Sequence, residues 1–339
     1  MFIKQRALTL LVAAVGSVAF WFLGMPLPLL LGPTFACLAA ALMGAQLKSF
    51  GQVTVALRTI LGVAVGSTVT PELVGRLGEF AISVAFVPLL LLLAGLVGYP
   101  YYRRVWGFDK ATAFYSAMPG GLQDMLVFGE EAGGNPRALS LIHATRVLVI
   151  VTVLPILLAT VWSLDLNVPP GQPAQDIPLQ DLGIMTFCAL VGWKVGERLG
   201  LFGASILGPM ILTAAASLAG LLHFRPPAEA IWVAQLAIGI GIGAHYVGIT
   251  MVEVRSFLVA AIGYCLYLSL LALMFAEILA LGGFVPQLEA LLAFAPGGQA
   301  EMTVLALVAG ADMAYVVTVH LSRIVLVIIG APLVFRLLK

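Results

Sequence analysis

The residues of this chain best suited to chemistry come in two matched sets. Asp124, His143 and Arg146 lie in apolar sequence, and Glu301, His320 and Arg323 repeat them 177 residues later. Each acid sits just beyond a proline and two glycines: Pro119-Gly120-Gly121 before Asp124, and Pro296-Gly297-Gly298 before Glu301. A charged side chain in hydrocarbon costs about 2.5–3.5 kcal/mol even on lenient scales, so two at one repeat position call for a reason. Asp124 and Glu301 are read as protonatable or charge-coupling groups beside unwound backbone, or as first-turn acids favoured by a helix dipole. His143 and Arg146 are three apart, as are His320 and Arg323, so each pair shares one helix face. The histidines are expected to tune or relay protons. Arg146 and Arg323 are expected to hold an anion, with half-helix N-termini at Gly120, Gly121, Gly297 and Gly298 adding positive dipole ends. The competing expectation is a structural salt bridge from each arginine to the acid of a hairpin.

The elements that must position these residues are duplicated too. Pro119–Met125 returns as Pro296–Met302, and His143-Ala-Thr-Arg146 as His320-Leu-Ser-Arg323. Gly62 and Gly66 return as Gly239 and Gly243, and Gly32-Pro33 returns as Gly208-Pro209 at an offset of 176. The glycine pairs are small-xxx-small patterns, which favour close helix packing. His245 and Glu253 have no repeat counterpart, since Thr68 and Arg76 stand there, and they carry no assigned role.

Hydrophobic residues make up 61% of the chain and charged residues 10%, against about 25% charged in soluble domains. A polytopic membrane protein in a lipid bilayer follows. The net charge of +1, without a basic run, gives no surface for nucleic acid. Cys37, Cys188 and Cys265 lie far apart, and the histidines His143, His223, His245 and His320 have no short ligand spacing. Neither a metal nor another cofactor is expected, and the copper cluster of a monooxygenase has no ligand set here.

A span needs about 20 apolar residues. Six apolar segments fall in each half: 7–23, 27–45, 53–70, 80–101, 111–128 and 138–161, then 182–199, 203–222, 230–249, 256–281, 288–309 and 313–335. The fifth of each half is interrupted by its proline and glycines, which remove a donor and weaken a helix. It reads as a re-entrant hairpin or a broken span. Cationic residues separate the two. With a cytoplasmic N-terminus and a re-entrant fifth segment, each half crosses five times and the second is inverted. Lys4, Arg6, Lys48, Arg103, Arg104, Lys110, Arg137, Lys194, Arg198, Arg255, Arg336 and Lys339 then lie inside, and Arg76 and Arg225 outside, 12 against 2. A fully crossing fifth segment gives 9 against 5. The positive-inside rule favours inversion. The expected architecture is an all-α membrane protein of two inverted repeats, each with about five transmembrane helices plus a re-entrant or broken helix. The first repeat covers 1–163 and the second 182–339. The linker 164–181, without Lys or Arg, faces the periplasm, and both termini face the cytoplasm.

The motifs MPGGLQDM with HATR and APGGQAEM with HLSR resemble those of bacterial inner-membrane proteins with a duplicated AbrB membrane domain. Members carry labels such as ammonia monooxygenase or regulator of expression of the alkylation-response protein AidB. The resemblance covers essentially the whole chain and extends to cation–proton antiporter and anion transporter folds, which use inverted five-span repeats with broken helices and are often dimers. It implies a bacterial inner-membrane location and allows a homodimer. The expected function is a secondary transporter of a small metabolite, an organic anion by preference, coupled to protons. A non-transporting membrane regulator of gene expression is the alternative. The monooxygenase label ranks last, and no enzymatic activity is expected.

Overall fold

The structure, a computed structural model, describes residues 2–71, 75, 77–167, 171–201 and 203–337. Arg76, Lys339 and residues 168–170 of the linker lie outside the described residues. Among the described residues every regular element is helical. The first half forms α1 (Phe2–Phe22), α2 (Pro28–Leu42), α3 (Gln52–Gly66), α4 (Ala81–Pro100), α5 (Lys110–Ala117), α6 (Leu122–Glu131) and α7 (Pro136–Val161). The second forms α8 (Leu179–Arg198), α9 (Ala204–Leu218), α10 (Ala228–Ala244), α11 (Val259–Leu281), α12 (Gln287–Phe294), α13 (Gln299–Val308) and α14 (Met313–Leu337). Shifted by 176, α2 coincides with α9; shifted by 177, α5 coincides with α12 and α6 with α13. Duplicated sequence has therefore given duplicated helix boundaries.

Five stretches are long and apolar enough to cross a membrane: Lys4–Phe22, Ala81–Val105, Pro136–Val161, Arg255–Leu281 and Met313–Leu337. α2, α3, α9, α10 and α13 are apolar but shorter. The fifth segment of each half is divided, at residues 118–121 and 295–298. Its pieces of eight and ten residues reach about 12 and 15 Å, half of a hydrocarbon core.

The chain folds as two compact units, and each takes segments from both halves. One comprises Met1–Gly78, Pro155–Gly248 and Thr303–Ala314; the other Glu79–Leu154, Ile249–Met302 and Tyr315–Lys339.

In the first unit the glycines set helix contact. A Cβ on Gly62 would meet the Ile206 carbonyl and Pro209, and one on Gly66 the Met210 carbonyl and Thr213. The other half mirrors this: Gly239 faces the Leu30 carbonyl and Pro33, and Gly243 faces the Thr34 carbonyl and Cys37. Each partner on one side is the repeat counterpart of the partner on the other. Helix α3 thus packs on α9 as α10 packs on α2, a reciprocal exchange of the kind a two-fold axis produces. Bare backbone is required because the neighbouring carbonyl occupies the place of a side chain.

In the second unit tyrosine hydroxyls tie α11 to α4. Tyr264 Oη lies 2.8 Å from the carbonyl oxygens of Ala94 and Ala117, and Tyr267 donates to the Leu93 carbonyl at 3.0 Å. Tyr315 of α14 donates to Ser83 Oγ at 2.8 Å. Buried hydroxyls need such partners, and backbone in a crowded helix pair supplies them.

Candidate functional site

All ten singled-out residues fall in the second unit. Asp109 opens α5 as its N-cap, accepting from the Thr112 N–H at 2.8 Å. The helix stops at Met118 because Pro119 cannot continue its hydrogen bonding. After α6 the chain comes back to where α5 began: the Asn135 N–H donates to Thr112 Oγ1 at 2.7 Å. The first-half segment is therefore a hairpin that returns to its starting end.

A broken helix exposes carbonyls where its first piece ends and N–H groups where its second begins. The carbonyl ends are met by the histidine and arginine that stand three apart on each long helix. On α7, His143 Nε2 lies 3.1 Å from the Tyr115 carbonyl, and Arg146 Nη2 donates to Gly120 O at 2.8 Å. On α14, His320 Nε2 lies 3.0 Å from the Leu292 carbonyl. Arg323 Nη1 donates to Ala295 O at 2.8 Å and Nη2 to Gly297 O at 3.1 Å. Positive charge at the carbonyl end of a helix is stabilising, more so away from water.

This corrects the salt-bridge expectation. Among the described residues neither arginine makes an ion pair with Asp124 or Glu301, although Arg146 and Glu301 are within electrostatic range. The physical reason is that backbone carbonyls at each break reach the guanidinium first. The acids belong instead to the second pieces. Gly121 is the N-cap of α6 and Asp124 stands three residues on, in its first turn. Glu301 has the same place in α13, and a Cβ on Gly298 would collide with its carboxylate. An acid here folds back toward the start of its helix, as in half of a capping box. Glu301 is buried and Asp124 partly so.

Gly120 and Gly297 admit long neighbours from both halves. A Cβ on Gly120 would meet Met125 and Val327; one on Gly297 would meet Met302 and Ile150. Met125 and Met302 are repeat mates, as are Ile150 and Val327, so the exchange is again reciprocal.

Several polar residues close to this site lack repeat mates. Tyr102, Tyr264 and Cys265 are within electrostatic range of Arg146, while Leu279, Val87 and Pro88 stand at the matching positions. Departure from the repeat at an otherwise matched site is the signal that marks them. Glu253, another unmatched residue, forms a capping box with Thr250: Thr250 Oγ1 donates to Glu253 Oε2 at 2.6 Å and accepts from the Glu253 N–H at 3.4 Å. It also pairs with Arg137 through both carboxylate oxygens. Among the described residues no three His, Cys, Asp or Glu side chains gather as metal ligands.

The chain belongs to the AbrB family, described as "Transition state regulatory protein AbrB", which matches residues 29–339. It is similar to "Uncharacterized protein YhjN" of Bacillus subtilis (strain 168), 28% identical over 303 residues, 82% of this chain and 77% of that protein. It is also similar to "Putative regulator AbrB" of Escherichia coli (strain K12), 24% identical over 328 residues, 95% and 93% of the two chains.

Proposed function

We propose that this protein is a bacterial inner-membrane secondary transporter of a small organic anion, coupled to protons, built from two inverted repeats. One observation carries the reading: two helix breaks at matched positions lie in one compact unit, each with its carbonyl end met by a histidine and an arginine and its N-terminal end carrying an acid. Unwound backbone inside apolar spans is tolerated where it lines a site, and transporters place substrate and coupling ions there. Glu301 and Asp124 are the exchangeable charges, since among the described residues neither forms an ion pair. Inversion draws support from the returning hairpin, which leaves five crossings per repeat, and from the distribution of Lys and Arg. The linker then faces the periplasm, both termini face the cytoplasm, and the domains are the repeats 1–163 and 182–339. A homodimer is part of this reading.

A second reading is a membrane regulator without transport, favoured by the printed name of the Escherichia coli relative. Transport that alters a cytoplasmic metabolite reconciles the two. An oxygenase has less support, because His143 and His320 each commit Nε2 to a backbone carbonyl.

The test is flux. Purified protein in proteoliposomes is given radiolabelled mono- and dicarboxylates, with and without an inward proton gradient. Gradient-dependent uptake, lost in the Gly120→Ala/Gly121→Ala double variant, supports the proposal. Absence of flux for carboxylates, cations and neutral metabolites alike would overturn it.

A further inference from the structure

The two halves of the site are not chemically equal. Arg323 commits both Nη atoms to its own half: it bonds Ala295 O and Gly297 O, and Nη2 lies 2.9 Å from His320 Nδ1. That contact makes His320 Nδ1 an acceptor, so Nε2 carries the hydrogen given to Leu292 O, and the ring has no group to spare. Arg146 gives only one of its five N–H donors to the protein, through Nη2 to Gly120 O. Nε is buried without a partner in both arginines, so the difference lies at the Nη atoms.

Among the described residues three further side chains on this side carry an unpartnered polar atom. His143 Nδ1, Tyr102 Oη and Ser116 Oγ are buried with no hydrogen bond. Exposure is 5% for Arg146, 0% for His143 and Tyr102, and 3% for Ser116. Tyr102 and His143 are each within electrostatic range of Arg146. Ser116 follows Tyr115, the partner of His143, on α5. The matching positions in the second half, Leu279 and Ala293, carry no polar atom at all. Buried polar groups are normally satisfied, and a cluster of orphans marks a place where something else supplies the bonds.

Resting on the transporter reading, we infer that the substrate anion is bound by the first half only, with its carboxylate on Arg146, and that the substrate is a small 2-hydroxy acid. Free guanidinium donors fit a carboxylate. His143 Nε2 faces a carbonyl and so carries the ring hydrogen, which leaves Nδ1 as an acceptor in the neutral ring. An acceptor beside a carboxylate-binding arginine selects a ligand with a hydroxyl donor next to its carboxylate. An amino acid brings an ammonium that Arg146 repels. Tyr102 Oη, donor and acceptor at once, completes the set. Arg323 is a positioning residue that holds the opposite break.

The experiment is thermal stabilisation and calorimetric binding on the full-length protein in detergent, with glycolate and L-lactate as probes and acetate and propionate as controls. Wild type should bind each hydroxy acid at least about tenfold more tightly than its deoxy analogue, the worth of a hydrogen bond lost in a buried site. Tyr102→Phe removes a hydroxyl with no protein partner, so its unligated melting temperature should hold or rise while affinity for glycolate falls about tenfold. Arg146→Lys should lose binding of all four acids. Equal affinity for glycolate and acetate overturns the hydroxy-acid assignment, and unchanged affinity in both Tyr102→Phe and Arg146→Lys overturns the location. A protein that ignores all four probes yet carries some other solute in proteoliposomes refutes this inference and leaves the transporter reading standing.

Discussion

Arg146 Nη2 donates to the carbonyl of Gly120 at 2.8 Å, across 26 residues, and Arg323 makes the same bond to Gly297 at 3.1 Å. A positive side chain on a long helix thus closes the carbonyl end of a broken one, once in each half. The arrangement explains why a histidine and an arginine three apart recur together. The two reach carbonyls five residues apart, one in the last turns of the helix and one in the break beyond it, Tyr115 and Gly120 in the first half and Leu292 and Gly297 in the second. At Arg323 the guanidinium forks between two carbonyls, which an arginine can do and a lysine cannot.

Arg323 should therefore matter more to stability than Arg146. Arg323→Met strands the carbonyls of Ala295 and Gly297 and should cost at least about 3 kcal/mol, since each unsatisfied buried group costs about 1–3 kcal/mol. Arg146→Met strands only Gly120 and should cost less. Because no carboxylate among the described residues pairs with Arg323, adding Glu301→Gln should not restore the lost stability. Denaturation in detergent reads all three variants; recovery in the double variant would show an ion pair in the working protein.

Much of this was legible in the sequence. Composition forced the membrane, and the 177-residue offset located both helix breaks to within a residue or two, because proline and glycine act locally. Partners were not legible. A basic residue and an acid in one apolar segment suggest each other, yet the guanidinium found carbonyls whose availability depends on where a helix ends in space. Tyr102 and Ser116 do not stand out in the sequence, because hydroxyls in apolar helices are common. Only comparison with Leu279 and Ala293 sets them apart, and only burial shows that they lack partners.

The glycines of α10 offer a contrast within one helix. Gly239 faces the Leu30 carbonyl, while a Cβ on Gly241 would meet open space. Gly239→Ala should force the backbones apart and destabilise by about 1–3 kcal/mol. Gly241→Ala should leave stability unchanged or raise it by up to about 1 kcal/mol through helix propensity. Melting temperatures of the two single variants in one detergent decide it, and equal behaviour would refute the close-packing account.

Glu253 gives a pH dependence with a definite sign. Hydrogen bonds from Arg137 and Thr250 pull its carboxyl down from the usual value of 4.5 to about 2. Its folded pKa lies below the unfolded one, so its contribution is fully present above pH about 4.5. It is lost as pH falls toward 2. The pair is solvent-accessible, so Glu253→Gln should cost no more than about 1 kcal/mol at neutral pH. The gap between wild type and variant should close across that acid window. A gap that stays constant from pH 6 to 3 would show that the Arg137 contact contributes nothing.

Topology is the prediction on which the transporter reading leans most. On the transporter reading, a hairpin that returns as Asn135 and Thr112 indicate leaves the number of crossings per repeat odd. An odd number places the start of the second repeat opposite the start of the first. Gln175 in the linker and Arg104 beyond α4 are both exposed, and the inverted scheme puts them on opposite faces. Single cysteines at these positions, with the buried Cys37, Cys188 and Cys265 left in place, can be probed with a membrane-impermeant maleimide. In intact cells with a permeable outer membrane, Gln175→Cys should label and Arg104→Cys should not. After the inner membrane is opened, both should label. Labelling of both in intact cells, or of Arg104→Cys alone, makes the crossings even or reverses the orientation. Labelling of both removes the opposed hairpins, and with them the physical basis for alternating access through these two breaks; labelling of Arg104→Cys alone leaves the hairpins opposed and refutes the cytoplasmic placement of the termini.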